Sequence, residues 1–173
     1  MSAHLDGRIA QAWGGVNPDG VHLNLVLAAR GSATAAAMTA AFSGPAPGFT
    51  PILVCVGEDQ PSYETVQPPT IMLPKTAPAD DAAAALISGA CQVGIAQGVL
   101  DAVAARHLAA DQETVVFASV WLTPGARSGD AVCAAAREAT GTGLAEAAGG
   151  RDADAVGRLV DARDSITHPF YRP

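Results

Sequence analysis

Lysine is almost missing from this chain. Lys75 stands alone against nine arginines in 173 residues. The excess of Ala, Gly and Arg fits a GC-rich coding background, in which Arg takes over wherever charge alone matters. A lysine left in that background is either a chance survivor or is held for its compact ammonium, which a guanidinium does not replace at a tight point-charge site. Charge in general is scarce, at 16% of residues with a net value of −7. An acidic chain without basic clusters lacks the electrostatic footprint of a nucleic-acid binder. Cysteine is limited to Cys55, Cys91 and Cys133, never in a C-x-x-C pair. Isolated and odd in number, they read as small buried hydrophobes of a reducing, cytoplasmic compartment.

Other absences narrow the chemistry. Residues 1–8 carry His4, Asp6 and Arg8 and no apolar run, so no secretory leader is expected. The longest apolar stretch, Ala82 to Ala105, is crossed by Gly89, Gln92, Gln97 and Asp101, so no membrane span is expected. The four histidines lack metal-ligand spacing, which argues against zinc. No serine sits in a G-x-S-x-G elbow. Gly141-Thr142-Gly143 has no third glycine and follows a helical stretch, so it is not a dinucleotide loop.

What remains is one domain, residues 1–173, with an ordinary apolar fraction of 49%. Its apolar side chains are small: 38 are Ala, against 33 Val, Ile and Leu together. The pattern predicts strands over Arg8–Gly15 and Val21–Ala29, joined by a Gly/Asn/Pro/Asp turn. Leu23, Leu25 and Leu27 alternate with His22, Asn24 and Val26 on the second of them. Ser32 is a good N-cap for a helix over Ala33–Phe42, ended by Gly44 and Pro45. A continuous strand is expected over Phe49–Val56, a polar loop over 57–69, and a short strand over Thr70–Pro74. A helix led by Asp80 and Asp81 runs to about His107, with a bend near Gly89. A Val-rich strand at Thr114–Leu122, a helix at Asp130–Ala148 and a last helix at Asp152–Arg163 complete the order. Strands and helices do not alternate strictly. The expected class is α+β, a mixed β-sheet with helices packed on one face.

Four polar residues stand out on this apolar scaffold. His22, mid-strand opposite three leucines, is either a satisfied structural histidine or an acid–base group. Asn24 shares its face and either meets solvent or lines the same pocket. Gln92, inside a nearly all-apolar helix, needs partners: a ligand or a neighbouring backbone group. Lys75 closes a strand. His168 lies on a tail that either docks on a neighbour or frays, and His4 and His107 read as solvated. Nothing in these residue types alone names a substrate.

The order of short motifs does. Gly20-Val21-His22-Leu23-Asn24-Leu25, Gly48-Phe49-Thr50-Pro51-Ile52-Leu53-Val54, Thr70-Ile71-Met72-Leu73-Pro74-Lys75 and Gly89-Ala90-Cys91-Gln92 come in sequence. Ala118-Ser119-Val120-Trp121-Leu122, Glu138-Ala139-Thr140 and Thr167-His168-Pro169-Phe170 follow. Together, from about Ile9 to Phe170, they resemble the formaldehyde-activating enzyme family, with about four extra residues in the loop 57–69. The resemblance implies a fold similar to ribosomal protein S5 domain 2. It implies condensation of formaldehyde with tetrahydromethanopterin, or a related reduced pterin, to the methylene derivative, in a lyase of one-carbon metabolism and formaldehyde detoxification. It implies a cytoplasmic homopentamer with pterin sites between subunits, and no metal, nucleic acid or membrane.

By the same resemblance His22 is the catalytic histidine, and Leu53, Lys75 and Gln92 match carrier-binding positions. Asn24 and Ala77 stand at two further positions of the site. Both depart from the family, which has an aspartate at the first and a hydroxyl residue at the second. The histidine of a family Phe-Ile-His run is Thr123 here, and the late helix lacks the family's Tyr and Lys. Asn24 keeps a hydrogen bond but loses the charge that raises a histidine pKa. Two other readings therefore stay open: a non-catalytic binder or sensor of formaldehyde or a methylene-pterin, and a scaffold recruited to another small-molecule reaction, with Lys75 as a Schiff-base amine.

Overall fold

Alternation along the second strand decides the layers. In the computed structural model, which describes residues 2–44 and 46–169, β1 (Arg8–Gly14) and β2 (Val21–Ala29) form an antiparallel hairpin with Trp13 opposite His22 and Gln11 opposite Asn24. Leu23, Leu25 and Leu27 point to one face and are fully buried, while Asn24 on the other face is exposed. Helix α1 (Ala33–Phe42) follows, capped by the Ser32 hydroxyl on the Ala35 N–H. The Asp6 carboxylate accepts from Ala29 N, Ser32 Oγ and Thr34 Oγ1, and these donors hold its pKa below the usual carboxylate value.

The expected continuous strand over Phe49–Val56 is two short pieces. β3 (Ile52–Leu53) pairs with β6 (Thr70–Pro74), whereas β4 (Cys55–Val56) pairs with β5 (Glu64–Thr65) in a hairpin of its own. The change of partner occurs at Val54, which is fully buried, donates to Thr70 O and accepts from Val66 N. The 57–69 segment is thus not a plain loop: its middle returns as β5 (Glu64–Thr65). β7 (Thr114–Leu122) sits at the centre of a five-stranded sheet of order β1-β2-β7-β6-β3. Only β6 and β7 run parallel, and the helical crossover between them supplies the length such a pairing needs.

That crossover is α2 (Asp81–Leu86), a wide π turn at Ile87–Cys91 that contains Gly89, and α3 (Gln92–Ala104). The regular α-helix is interrupted at the glycine where a bend is expected. The stretch Asp81–Ala104 is long and apolar enough to cross a bilayer. In the fold its apolar positions Cys91, Ile95 and Val99 enter the core, packed with α4 (Gly129–Gly149) and the leucine face of the sheet. α5 (Ala153–Asp161) is followed by a 3-10 turn at Arg163–Ser165, and residues 170–173, including the expected Phe170 of the tail motif, lie outside the described chain.

The architecture is α+β with a mixed sheet, as the sequence predicts, but the helices are not confined to one face. The long helices α3 and α4 occupy one face, and α1 takes part of the other. There Phe42 meets Phe117 edge-on at 5.3 Å, with Val26, Met38 and Ile71 around them. The rest of that face stays open, and Gln11, Trp13 and Asn24 are exposed on it.

Candidate active site

The open face is held at the His22 end by its own turns. The β1–β2 connection is pinned to α4 by Asp19, whose carboxylate accepts from the Arg127 and Ser128 N–H groups, and by Glu138, which accepts from Gly15 N. Those donors lower the Asp19 pKa. Thr123 donates its hydroxyl to Gly20 O and its N–H reaches the same oxygen. The ends of β2 and β7 that carry His22 and Trp121 are therefore fixed relative to each other.

Lys75 follows β6 and continues its ladder, donating N–H to Val120 O at 2.7 Å. Its side chain crosses β7 and brings Nζ within 2.6 Å of His22 Nδ1. On the other side, His22 Nε2 lies 2.8 Å from Gln11 Oε1, the diagonal neighbour across the hairpin. These contacts assign the tautomer. An ammonium has only donors, so Nδ1 accepts; the ring proton sits on Nε2 and is donated to Gln11 Oε1.

Electrostatics agree with that assignment. His22 is partly buried, and its pKa falls below the ordinary histidine value, first through burial and then through the positive Lys75. Burial brings Lys75 down to about 8. At neutral pH the pair thus holds one extra proton, mainly on Lys75 and one short hydrogen bond from His22. Because Lys75 is the one lysine, its side-chain NMR signal is unambiguous. The expected titration midpoint is about 8; a midpoint at the free-lysine value would contradict the burial. The unfolded chain would hold the Lys75 proton up to the ordinary lysine value of 10.5, so folding stability should rise between pH 8 and 10.5.

The other expected site residues are spread around this dyad. Asn24 lies in a shallow depression with Ile9, Gln11, Val26 and Ser119, two residues along β2 from His22. Leu53 is 48% exposed on the edge strand β3, paired with Ile71. Ala77 is exposed and lines a cleft of about 330 Å³ with Thr76, Trp121, Leu122 and Thr123. Trp121 is the cross-strand partner of His22, so this cleft adjoins the dyad. Gln92 does not reach it. Its Oε1 accepts from Cys55 N at 3.1 Å and its Nε2 donates to Ser88 O at 2.7 Å. Both ends of its amide brace backbone: one closes β4 against α3, the other spans the π turn.

The sequence model of the formaldehyde-activating enzyme family matches residues 11–171. The chain belongs to the formaldehyde-activating enzyme family. It is 30% identical over 168 residues, 96% of this chain, to 5,6,7,8-tetrahydromethanopterin hydro-lyase of Methanosarcina barkeri, covering 91% of that protein. It is also 30% identical over 126 residues, 72% of this chain, to the bifunctional enzyme Fae/Hps of Archaeoglobus fulgidus, covering 31% of it. Membership carries a hydro-lyase type of activity at the level of the family.

For a formaldehyde-activating enzyme homologue, the open face holds three residues the sequence reading did not single out as site residues. Gln11 orients His22. Trp13 and Trp121, the chain's two tryptophans, flank His22 in the ladder and lean together to a centroid distance of 6.2 Å at 42°. Trp13 also donates Nε1–H to Gly15 O, and a Cβ on Gly20 would run into its ring. The signal that could have found Gln11 and Trp13 is the hairpin register. Once Gly14 faces Val21, Trp13 falls opposite His22 and Gln11 opposite Asn24. Among the described residues no group of His, Cys, Asp and Glu forms a metal-binding cluster.

Proposed function

We propose that the chain condenses formaldehyde with tetrahydromethanopterin, or a closely related reduced pterin, to the methylene derivative and water. The contact that carries this reading is the 2.6 Å approach of Lys75 Nζ to His22 Nδ1 on an open, aromatic-walled sheet face. A pterin amine adds to formaldehyde to give a hydroxymethyl amine. Expelling hydroxide from that adduct is the hard step, and a positioned acid accelerates it. His22 is that acid: it delivers a proton to the departing oxygen and is resupplied from the Lys75 ammonium at Nδ1. Gln11 keeps the ring oriented. Capture of the resulting iminium by the carrier's second amine closes the ring, helped by holding both ends in place.

The carrier lies along the open face. The two indoles offer planar surface for a heterocycle, and Asn24 and the 76–77 segment supply its polar and small contacts. Leu53 is an apolar contact for the carrier. Gln92 shapes the site by bracing β4 and the π turn. The family resemblance implies a cytoplasmic homopentamer with sites between subunits, and the open face around Trp13 leaves surface for a neighbouring subunit to cover. Light scattering at the mass of five chains is expected, and monomer mass would overturn that assembly. The reaction itself is tested by the rate of tetrahydromethanopterin condensation with formaldehyde, with the spontaneous background subtracted. Binding of the pterin without acceleration would replace the enzyme reading by the sensor reading.

A further inference from the structure

We infer that Lys75 is a covalent capture site for formaldehyde, forming a carbon–nitrogen bond to the aldehyde before the carrier receives the one-carbon unit. The inference rests on the reading of His22 as the acid of a condensation site; it replaces direct attack of the carrier's amine on formaldehyde by a relay through Lys75, which acts as the nucleophile and not only as the proton source for His22.

Three observations carry it. Lys75 Nζ is 2.6 Å from a histidine nitrogen whose lone pair is free to take its proton. That histidine is oriented by Gln11 on its far side, so it presents Nδ1 to the lysine and not to solvent. Trp121, the cross-strand partner of His22, and Thr76, the residue after Lys75, both line a 330 Å³ cleft beside the dyad, which has room for a small aldehyde. Burial supports the same conclusion by making the neutral amine accessible near physiological pH.

Moving one proton from Lys75 to His22 creates the nucleophile and the acid together. The Lys75 lone pair attacks the formaldehyde carbon, and the carbonyl π pair moves to oxygen. Nitrogen loses a proton and oxygen gains one, giving a neutral carbinolamine. Imidazolium protonates the hydroxyl, which leaves as water, and the nitrogen lone pair forms the C=N bond of a methylene iminium. An amine of the carrier then adds to that carbon and gives up its proton. The bond to Lys75 nitrogen breaks with its pair returning to lysine, which takes up the proton again. The carrier's own iminium is closed by its second amine, which loses a proton to the medium. The sum is formaldehyde plus a diamine giving a methylene-bridged diamine plus water, with no oxidation or reduction.

The test uses the full-length protein with formaldehyde and sodium cyanoborohydride, which fixes the iminium as N-methyl-lysine. Peptide mapping separates Lys75 from the N-terminal amine, and no other lysine competes. Lys75 is expected to be methylated at pH 7 at least about tenfold faster than the lysine of a short control peptide, because an amine of pKa near 8 is neutral far more often than one near 10.4. His22→Ala should slow that labelling even though the amine is retained. Lys75→Arg, which preserves the cation, should lose the acceleration of condensation while folding normally by circular dichroism.

Labelling no faster than the control peptide overturns the proposal, and so does full acceleration in Lys75→Arg. If the natural protein accelerates condensation while Lys75 is neither labelled nor required, covalent capture fails and the acid role of His22 stands. If Lys75 is labelled rapidly but tetrahydromethanopterin is not converted, capture stands and the carrier reading fails.

Discussion

His22→Ala is expected to lose about 10²–10⁴-fold of the enzymatic acceleration, the usual contribution of a positioned acid or base. The fold should survive. His22 faces the open side of the sheet, and its contacts are Gln11 and Lys75, neither part of the leucine core. A thermal unfolding midpoint close to that of the natural protein is the necessary control. The pH profile of the natural protein adds a second readout. Activity should fall as pH rises through about 8, where Lys75 gives up the proton the dyad holds. It should also fall on acidification below the ordinary histidine range, where His22 takes a second proton against the neighbouring ammonium. In His22→Ala the small residual rate should lose this acidic limb. A variant with unchanged rate would move the acid elsewhere, and the Asn24 depression would then be the place to search.

Three strands were legible in the sequence, the first by its alternation and the last by its Val-rich composition. Val21–Ala29, Thr70–Pro74 and Thr114–Leu122 appear with their expected bounds, and Ser32 caps α1 where its side chain predicts. The Phe49–Val56 run was not legible as two strands. Whether Cys55 pairs with β6 or with Thr65 depends on a segment nine or ten residues later returning to meet it, and local hydrophobicity carries no trace of that. The site divides the same way. Periodicity puts His22 and Asn24 on one face, but Lys75 lies 53 positions away and meets His22 only because β6 lies next to β7 and β7 next to β2. Family resemblance placed Lys75 and Gln92 together. In a single chain they part, because Gln92 sits on the helical crossover and spends its amide on backbone.

The small-residue composition also has a mechanical consequence at the α3–α4 contact, and Gly94→Val should be among the most destabilising single changes in the chain. Gly94 and Gly98 lie one turn apart on α3, facing Cys133, Ala136, Arg137 and Thr140 of α4. A Cβ on Gly94 would overlap the Cys133 carbonyl oxygen and lie 2.8 Å from Ala136 Cβ and 3.0 Å from Arg137 N. Two of those three atoms are backbone, so no rotamer change relieves the crowding. The helices must separate, which also pulls Ile95 and Val99 out of register with the leucine face of β2. Overpacking of this kind costs about 3 kcal/mol or more, roughly 6–12 °C in unfolding midpoint for a chain of this size. Gly141→Ala provides the opposite sign on the partner helix. It is interior to α4, with no atom within 4 Å of a built Cβ, so it should gain about 0.5–1 kcal/mol from helix propensity alone. Calorimetry on the two variants separates close approach from propensity. If both shift the same way, the tight α3–α4 contact is not what requires glycine at position 94. If they diverge as expected, the many alanines and glycines are the means by which helices and sheet approach closely enough to fix the strand ends that carry His22 and Lys75.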